Sequence, residues 1–219
     1  MRQVVIILLT VIGLYGCKTT QSPSYDYSAF LAAAPTSIVV MPPINNTPEV
    51  MAPYGLMAQI VRPIAEAGYY VFPVAVVNQT FMANGMTVAQ DVHAIPYQKL
   101  HEIFGADAGL YITIRDYGTS YIVVNSVTVV SAEATLVDLR SGEILWQGAA
   151  SASSGENRGA NQNGLLGMLV EAALTQIIET VTDRGFDVAG IAASRLLSTK
   201  AHNGLLPGPR APNKASPAN

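Results

Sequence analysis

A chain with one cysteine cannot cross-link itself, so no intramolecular disulfide holds this one together. That cysteine, Cys17, stands in LYGCKTT (Leu14 to Thr20), directly behind a greasy N-terminal segment. Arg2 and the initiator amine make a short positive region, and Val4 to Leu14 (VVIILLTVIGL) an almost wholly apolar one, which is how a secretory signal is built. The run falls short of the ~20 residues that a helix needs to span ~30 Å of hydrocarbon, so it makes a poor permanent membrane helix.

The residues behind the apolar run do not form an ordinary A-x-A-like cleavage site. Leu14 lies three residues before Cys17 and small Gly16 directly before it, a pattern that resembles the lipobox of bacterial lipoproteins. The resemblance implies cleavage between Gly16 and Cys17, a thioether from Cys17 to diacylglycerol, and acylation of the new amine. Only cysteine suits that chemistry, because a thiolate is a far better nucleophile near neutral pH than a hydroxyl. Tyr15 departs from the small or branched residue common at its position. Two or more acyl chains hold a protein firmly where one holds it marginally, at ~0.8 kcal/mol per buried methylene. Lys18 comes directly after the cysteine, and by the sorting rule of such lipoproteins a lysine there, unlike aspartate, lets the protein travel to the outer membrane of a Gram-negative cell.

Removing residues 1–16 as a signal peptide leaves 203 residues, enough for one domain with a sizeable core. The formal charge moves from −3 to −4, because Arg2 is the one charge lost. That balance offers no footprint for nucleic acid, which wants basic clusters on one face. With Cys17 modified no thiol remains, so no disulfide or thiolate metal site enters the fold, and an oxidising compartment poses no hazard to it.

Residues 17–36 read as the lipidated N-terminus and a tether, polar and small without a period. Ser37 to Met41 (SIVVM), stopped by Pro42-Pro43, predicts a buried strand. Leu56, Ile60 and Ile64 mark one face of a helix with Pro53 in its first turn, a kink at Pro63 and a stop at Gly68. Tyr69 to Val77 (YYVFPVAVV) predicts a strand, with Pro73 placing it at an edge or bulge. A helix opens at Pro96, carries Tyr97, Leu100 and Phe104 on one side and ends at Gly105. Ala108 to Tyr117, Tyr121 to Leu139 and Glu143 to Ser153 predict strands, with Gly142 as the left-handed residue of the last connection. Val130, Ala132, Ala134 and Leu136 alternate with Val129, Ser131, Glu133 and Thr135, one face covered and one wet, and Trp146 is placed at the sheet surface.

The polar loop SGENRGANQNG leads to a predicted helix over Leu165 to Arg184 with Glu171, Thr175, Glu179 and Thr182 as its polar stripe. Gly185 is read as its stop and Asp187 as the cap of a last helix faced by Val188, Ile191, Ala192 and Leu196. Residues 200–219, with four prolines and three basic residues but no acid, read as a disordered tail. The expected architecture is therefore a single α/β (α+β) domain over residues 37–199, a mixed sheet packed with helices in the order β-α-β-α-β-β-β-α-α.

Chemistry finds little purchase. Of the histidines His93, His101 and His202, none stands in an H-E-x-x-H, and a surface or capping role is expected. No G-x-S-x-G presents a serine; Ser151 to Ser154 read as an exposed strand end. The glycines of Gly155 to Gly167 fit no phosphate-cradling loop. Asp107, Asp116, Glu133 and Asp138 lie around the strands, Asp138 as a turn residue, without spacing that pairs them. Ten tyrosines against one tryptophan and five phenylalanines suit half-buried sheet surfaces and binding patches.

The lipobox, SIVVMPPINNT, GADAGLYITI and the hairpin VVSAEATLVDLRSGEILWQG together resemble a family of bacterial outer-membrane lipoproteins of unknown function, of a meningococcal vaccine-candidate type, across roughly residues 15–199. The domain is similar to the N-terminal domain of TolB, and the D-x-R-S-G-E-x-x-W hairpin recurs in other envelope lipoproteins. The family implies no catalytic residues and no cofactor; Cys17 is the one site that carries over. The reading is a non-catalytic interaction or assembly module on the periplasmic side of the outer membrane. Its expected partners are the bilayer through Cys17 and other envelope lipoproteins or a second copy paired at an open sheet edge. A carboxylate-based cell-wall hydrolase and a small-ligand receptor are the alternatives.

Overall fold

The run SIVV becomes a strand because both of its faces have somewhere to go. The structure, a computed structural model, describes residues 25–122, 125–156 and 181–212. Its elements are α1 (Ser28–Ala33), β1 (Ser37–Val40), β2 (Ile44–Asn45), α2 (Ala52–Glu66), β3 (Tyr70–Val71), α3 (Val74–Ala83), α4 (Ala89–His93), α5 (Tyr97–Phe104), β4 (Ala108–Ile122), β5 (Asn125–Asp138), β6 (Ile144–Ser153) and α6 (Val181–Leu196). The sheet runs β3-β1-β4-β5-β6, with β2 pairing β4 beyond the Pro42-Pro43 break. As expected it is mixed: β1 lies parallel to β3 and β4, while β4, β5 and β6 are antiparallel neighbours.

Ile38 and Val40 enter the larger core, with Leu56, Ile60 and Ile64 of α2, the inward row Leu110, Ile112, Ile114 of β4, and Val188, Ala192 and Leu196 of α6. Val39 and Met41 enter a second core on the opposite face, closed by Val77 and Phe81 of α3, Val92 of α4 and Leu100 of α5. The alternation of β5 falls as the sequence dictates: Val130, Ala132, Ala134 and Leu136 are buried while Glu133 is exposed. Gly142 takes φ +79° in the β5–β6 connection, a conformation that costs other residues ~1–2 kcal/mol.

Several expectations are overturned. Tyr69 to Val77 is not one strand. Only Tyr70–Val71 pairs with β1, and Pro73 starts helix α3, whose Val77 and Phe81 pack into the second core; burial at helical spacing overrides the β preference of the valines. Gly185 does not stop a helix: α6 runs through it from Val181 to Leu196. The rest of the helix expected at Leu165 to Arg184 lies outside the described residues, as does most of the glycine-rich loop before it. Ile191, read as part of the buried face of α6, is exposed. Trp146 is not at the sheet surface but buried in the larger core, its indole N–H donating to the Asn203 carbonyl at 3.0 Å.

The fold extends past the expected bounds of 37–199 at both ends. Residues 25–36, expected in the tether, hold α1, whose Phe30 is buried against Tyr27. Residues 200–212, expected in the tail, fold back over the sheet. Leu205 is buried, Tyr69 Oη donates to the Leu206 carbonyl, and the backbone N–H groups of Gly208 and Arg210 donate to Ala67 and Gly68. At Gly68 the backbone takes φ +93° and Ala211 lies where a Cβ would sit, so this crossing needs glycine. A proline-rich composition suggested disorder, but the return is fixed by carbonyls that satisfy buried donors far away in sequence.

Leu205→Ala is expected to cost about 2–5 kcal/mol, read from the denaturant midpoint; a tail without contacts would leave the midpoint unchanged. A second expectation concerns pH. His93 packs edge-on to Tyr111 and burial pulls its pKa below the ordinary 6.5, although its bond to the Pro42 carbonyl pulls the other way. The unfolded chain then protonates first, so the His93 contribution is whole above pH 6.5 and is lost as pH falls below it. Asp107 and Asp138, held below 3.8, give way only in stronger acid. Unfolding free energies measured across the two windows should show two separate declines, and His93→Gln should remove only the first.

Candidate interaction surface

The predicted site, Gly16 and Cys17, lies outside the described residues. What the structure gives is the place where the chain from Cys17 joins the domain. Tyr25 N–H donates to Asn203 Oδ1 at 2.8 Å, and its ring packs against the larger core. Tyr27 stacks on Tyr25 at 4.8 Å between ring centroids and donates through Oη to the Gly204 carbonyl. The first described residues are thus clamped between β6 and the C-terminal return.

This clamp is one part of a closure of the sheet edge. At β6, Arg195 of α6 donates through Nη1 to the Ser151 carbonyl at 2.9 Å and pairs with Glu156, whose carboxylate accepts the Ser153 N–H at 2.9 Å. Backbone groups of Ser151 and Ser153, which an added strand would use, already have side-chain partners. Pairing of a second copy at this edge, the route anticipated from sequence, meets a capped strand.

The surface that does stand open lies between α2 and α6. Tyr117 of β4 fits under both helices at glycines: a Cβ at Gly55 would stand 2.5 Å from its hydroxyl and one at Gly185 3.0 Å from its ring. That close approach sets the spacing of the pair, and Gln59 Nε2 crosses to the Phe186 carbonyl at 3.2 Å. Beside this bridge runs an open groove of about 660 Å³, lined by Gln59, Arg62, Asp187, Ile191, Ser194 and Arg195 among others. Ile191 in its lining is exposed, and so are Val50, Met51 and Tyr54 at the start of α2 and Phe186 in α6, Val50 by 77% and Phe186 by 42%. The last four went unnoticed in the sequence because they lie off the Leu56/Ile60/Ile64 and Val188/Ala192/Leu196 faces. Their signal is large apolar groups on the sides of amphipathic helices that no core requires.

The acids named from sequence are structural. Burial alone would raise the Asp107 carboxyl, but hydrogen bonds from Thr36 and Ser37 and the nearby Arg140 outweigh it and hold it below the usual range. Asp138, also buried, is lowered by the N–H groups of Ser141 and Arg140 and by the Arg140 guanidinium 3.3 Å away. The structure does bring these two together around Arg140, yet both are held ionised, so neither keeps a proton to donate near neutral pH. Glu133 pairs with Arg115 at 2.7 Å on the exposed sheet face, and Asp116 is exposed at a bulge beside it. His101 contacts the Ala106 carbonyl just past the end of α5, the capping role expected, whereas His93 is half-buried against the distant Pro42 carbonyl, neither at the surface nor a cap. Ser151 is exposed, and Ser154 closes the strand end by accepting the Thr128 N–H. No helix among the described residues is long and apolar enough to cross a membrane.

Arg195→Ala should uncap β6 and leave the core intact. Sedimentation is expected to show new higher-order species at raised concentration, with unchanged far-UV dichroism; an unaltered distribution would mean that the edge is blocked by shape instead.

Comparison with known proteins places this geometry. A family model described as "Putative lipoprotein GNA1162-like" matches residues 25–210, which takes in α1 and most of the C-terminal return. The chain is similar to a relative in Neisseria meningitidis serogroup B, "Putative lipoprotein NMB1124/NMB1162", 49% identical over 210 residues, 96% of this chain and 97% of the relative. It is also similar to the crystal structure of lipoprotein GNA1162 from Neisseria meningitidis, with 55% identity and a TM-score of 0.53, across 65% of this chain and 98% of that one.

Proposed function

The chain belongs to the GNA1162-like lipoprotein family, and from that premise we propose that it is an envelope assembly module: anchored at Cys17 to the outer membrane, on the periplasmic side, and binding a protein partner without catalysis. The observation that carries this reading is the open α2/α6 groove with Ile191 exposed in it and Val50, Met51, Tyr54 and Phe186 exposed on the same two helices and the entry to α2. Aromatic rings, methionine and arginine beside buried area are the residue types that supply most of the energy at protein interfaces, and apolar side chains of this size on a free surface lose that energy to water.

Charge supports a protein partner as well. Asp187 with Arg62 and Arg195 gives the groove both signs, which favours a mixed polar rim over a polyanion. The groove is open along its length, a poorer match to a small ligand, whose sites bury most of its surface. The partner is another envelope lipoprotein or a second copy meeting this helix face.

Photocrosslinking residues introduced at Tyr54 and Phe186 of the lipidated protein in cells should give discrete adducts, and one at Lys99, on α5, should not. Tyr54→Ala and Phe186→Ala should abolish the adducts made from the neighbouring position while changing stability by no more than ~0.5 kcal/mol. Adducts of equal yield at Lys99, or none at all, would defeat the assignment of this face. Cys17→Ala should release the protein from the membrane fraction.

A further inference from the structure

The chain leaves the domain at a defined point, and its distance from the anchor is short. Tyr25 is held by Asn203, and seven residues, Lys18 to Ser24, separate it from Cys17. Eight Cα-to-Cα steps span at most ~28 Å.

The domain is longer than that reach. Its exit end is marked by Asn203, whose carbonyl accepts from Trp146, and Trp146 lies opposite Leu136 of β5. The other end is marked by Ser126, whose hydroxyl meets Arg184 of α6 at 3.3 Å. Ten residues of β5 separate Leu136 from Ser126, ~34 Å at ~3.4 Å each. Even a fully stretched tether is shorter than this, so the domain cannot stand on its Ser126 end with the exit end pointing away from the bilayer.

We propose, resting on the reading that Cys17 is acylated, that the domain stands on the bilayer by its exit end, with lipid headgroups covering the surface formed by α1 and Ser198 to His202. Leu31 on α1, exposed by 69%, is the apolar residue presented there, with Lys200 and His202 exposed beside Asp26. With one acid, Asp26, and one lysine, Lys200, among these exposed residues, electrostatic attraction to anionic lipid is weak and the covalent strap sets the orientation. The groove is oriented with it: Ser198 and Ala201 line its membrane end, Asp187 its far end beside Phe186. A partner therefore reaches the Tyr54 and Phe186 patch from the side facing away from the anchor.

Acylation consumes the one native thiol, so a single introduced cysteine labels uniquely. The lipidated full chain carries a fluorophore at Leu31→Cys or Phe186→Cys, both surface positions, in phosphatidylethanolamine and phosphatidylglycerol vesicles containing a headgroup nitroxide lipid. Quenching is expected to be severalfold greater at position 31 than at 186. Equal quenching, or more at 186, overturns the orientation while flotation with the vesicles shows the anchor intact. A chain that fails to float overturns the anchor itself, and the orientation with it. Inserting about twenty glycine and serine residues before Tyr25 should erase the difference between the sites, since the strap then outreaches the domain. A difference that survives overturns the claim that strap length sets it.

Discussion

The domain depends on one short strand being buried on both faces. Ile38 and Val40 point into one core, Val39 and Met41 into the other, all essentially without exposure. Such a strand cannot lie at a wet surface, so it draws helices to both sides: α2 and α6 on one, α3, α4 and α5 on the other. The antiparallel half of the sheet is covered on the larger-core face, and its other face keeps Glu133, Arg115 and Gln147 in water. Parallel pairing where helices connect the strands and antiparallel pairing where a tight turn does explain why one sheet carries both kinds of coverage.

With no disulfide available, the ends of the domain are fastened by hydrogen bonds to buried donors. The Trp146 indole, the Tyr69 hydroxyl and the Tyr27 hydroxyl all donate to carbonyls of residues 203–206. Leaving such donors unpaired on burial costs ~1–3 kcal/mol each, so the return and the entry segment hold one another in place. The same arrangement brings the start of the described chain beside its end, and places the strap to Cys17 next to the capped edge of β6.

Much of this was legible in the sequence. The α2 face, the α5 boundaries, the β5 alternation and the Gly142 turn rest on local rules that the packing obeys. The features that escaped are those decided at long range. Val74 to Val77 have strand propensity, yet the second core needs a helix there. Gly185 looks like a stop, but it is glycine because the Tyr117 ring lies against it. Residues 203–211 look like tail because their work is done by backbone carbonyls, which composition does not encode. The groove between α2 and α6 was invisible for a related reason: it belongs to two helices 127 residues apart in their shared contact, Gln59 to Phe186. Cys17 was the reverse case, plain from its neighbours in the sequence and outside the described structure.

Function joins at that cysteine. The proposed orientation of the helix pair rests on the strap ending in lipid there. Mass spectrometry of the N-terminal peptide of the mature protein tests this most directly. The peptide is predicted to begin at Cys17 and to carry a diacylglyceryl thioether and an amide-linked acyl chain; a peptide beginning elsewhere, or a bare Cys17 thiol, would contradict the account.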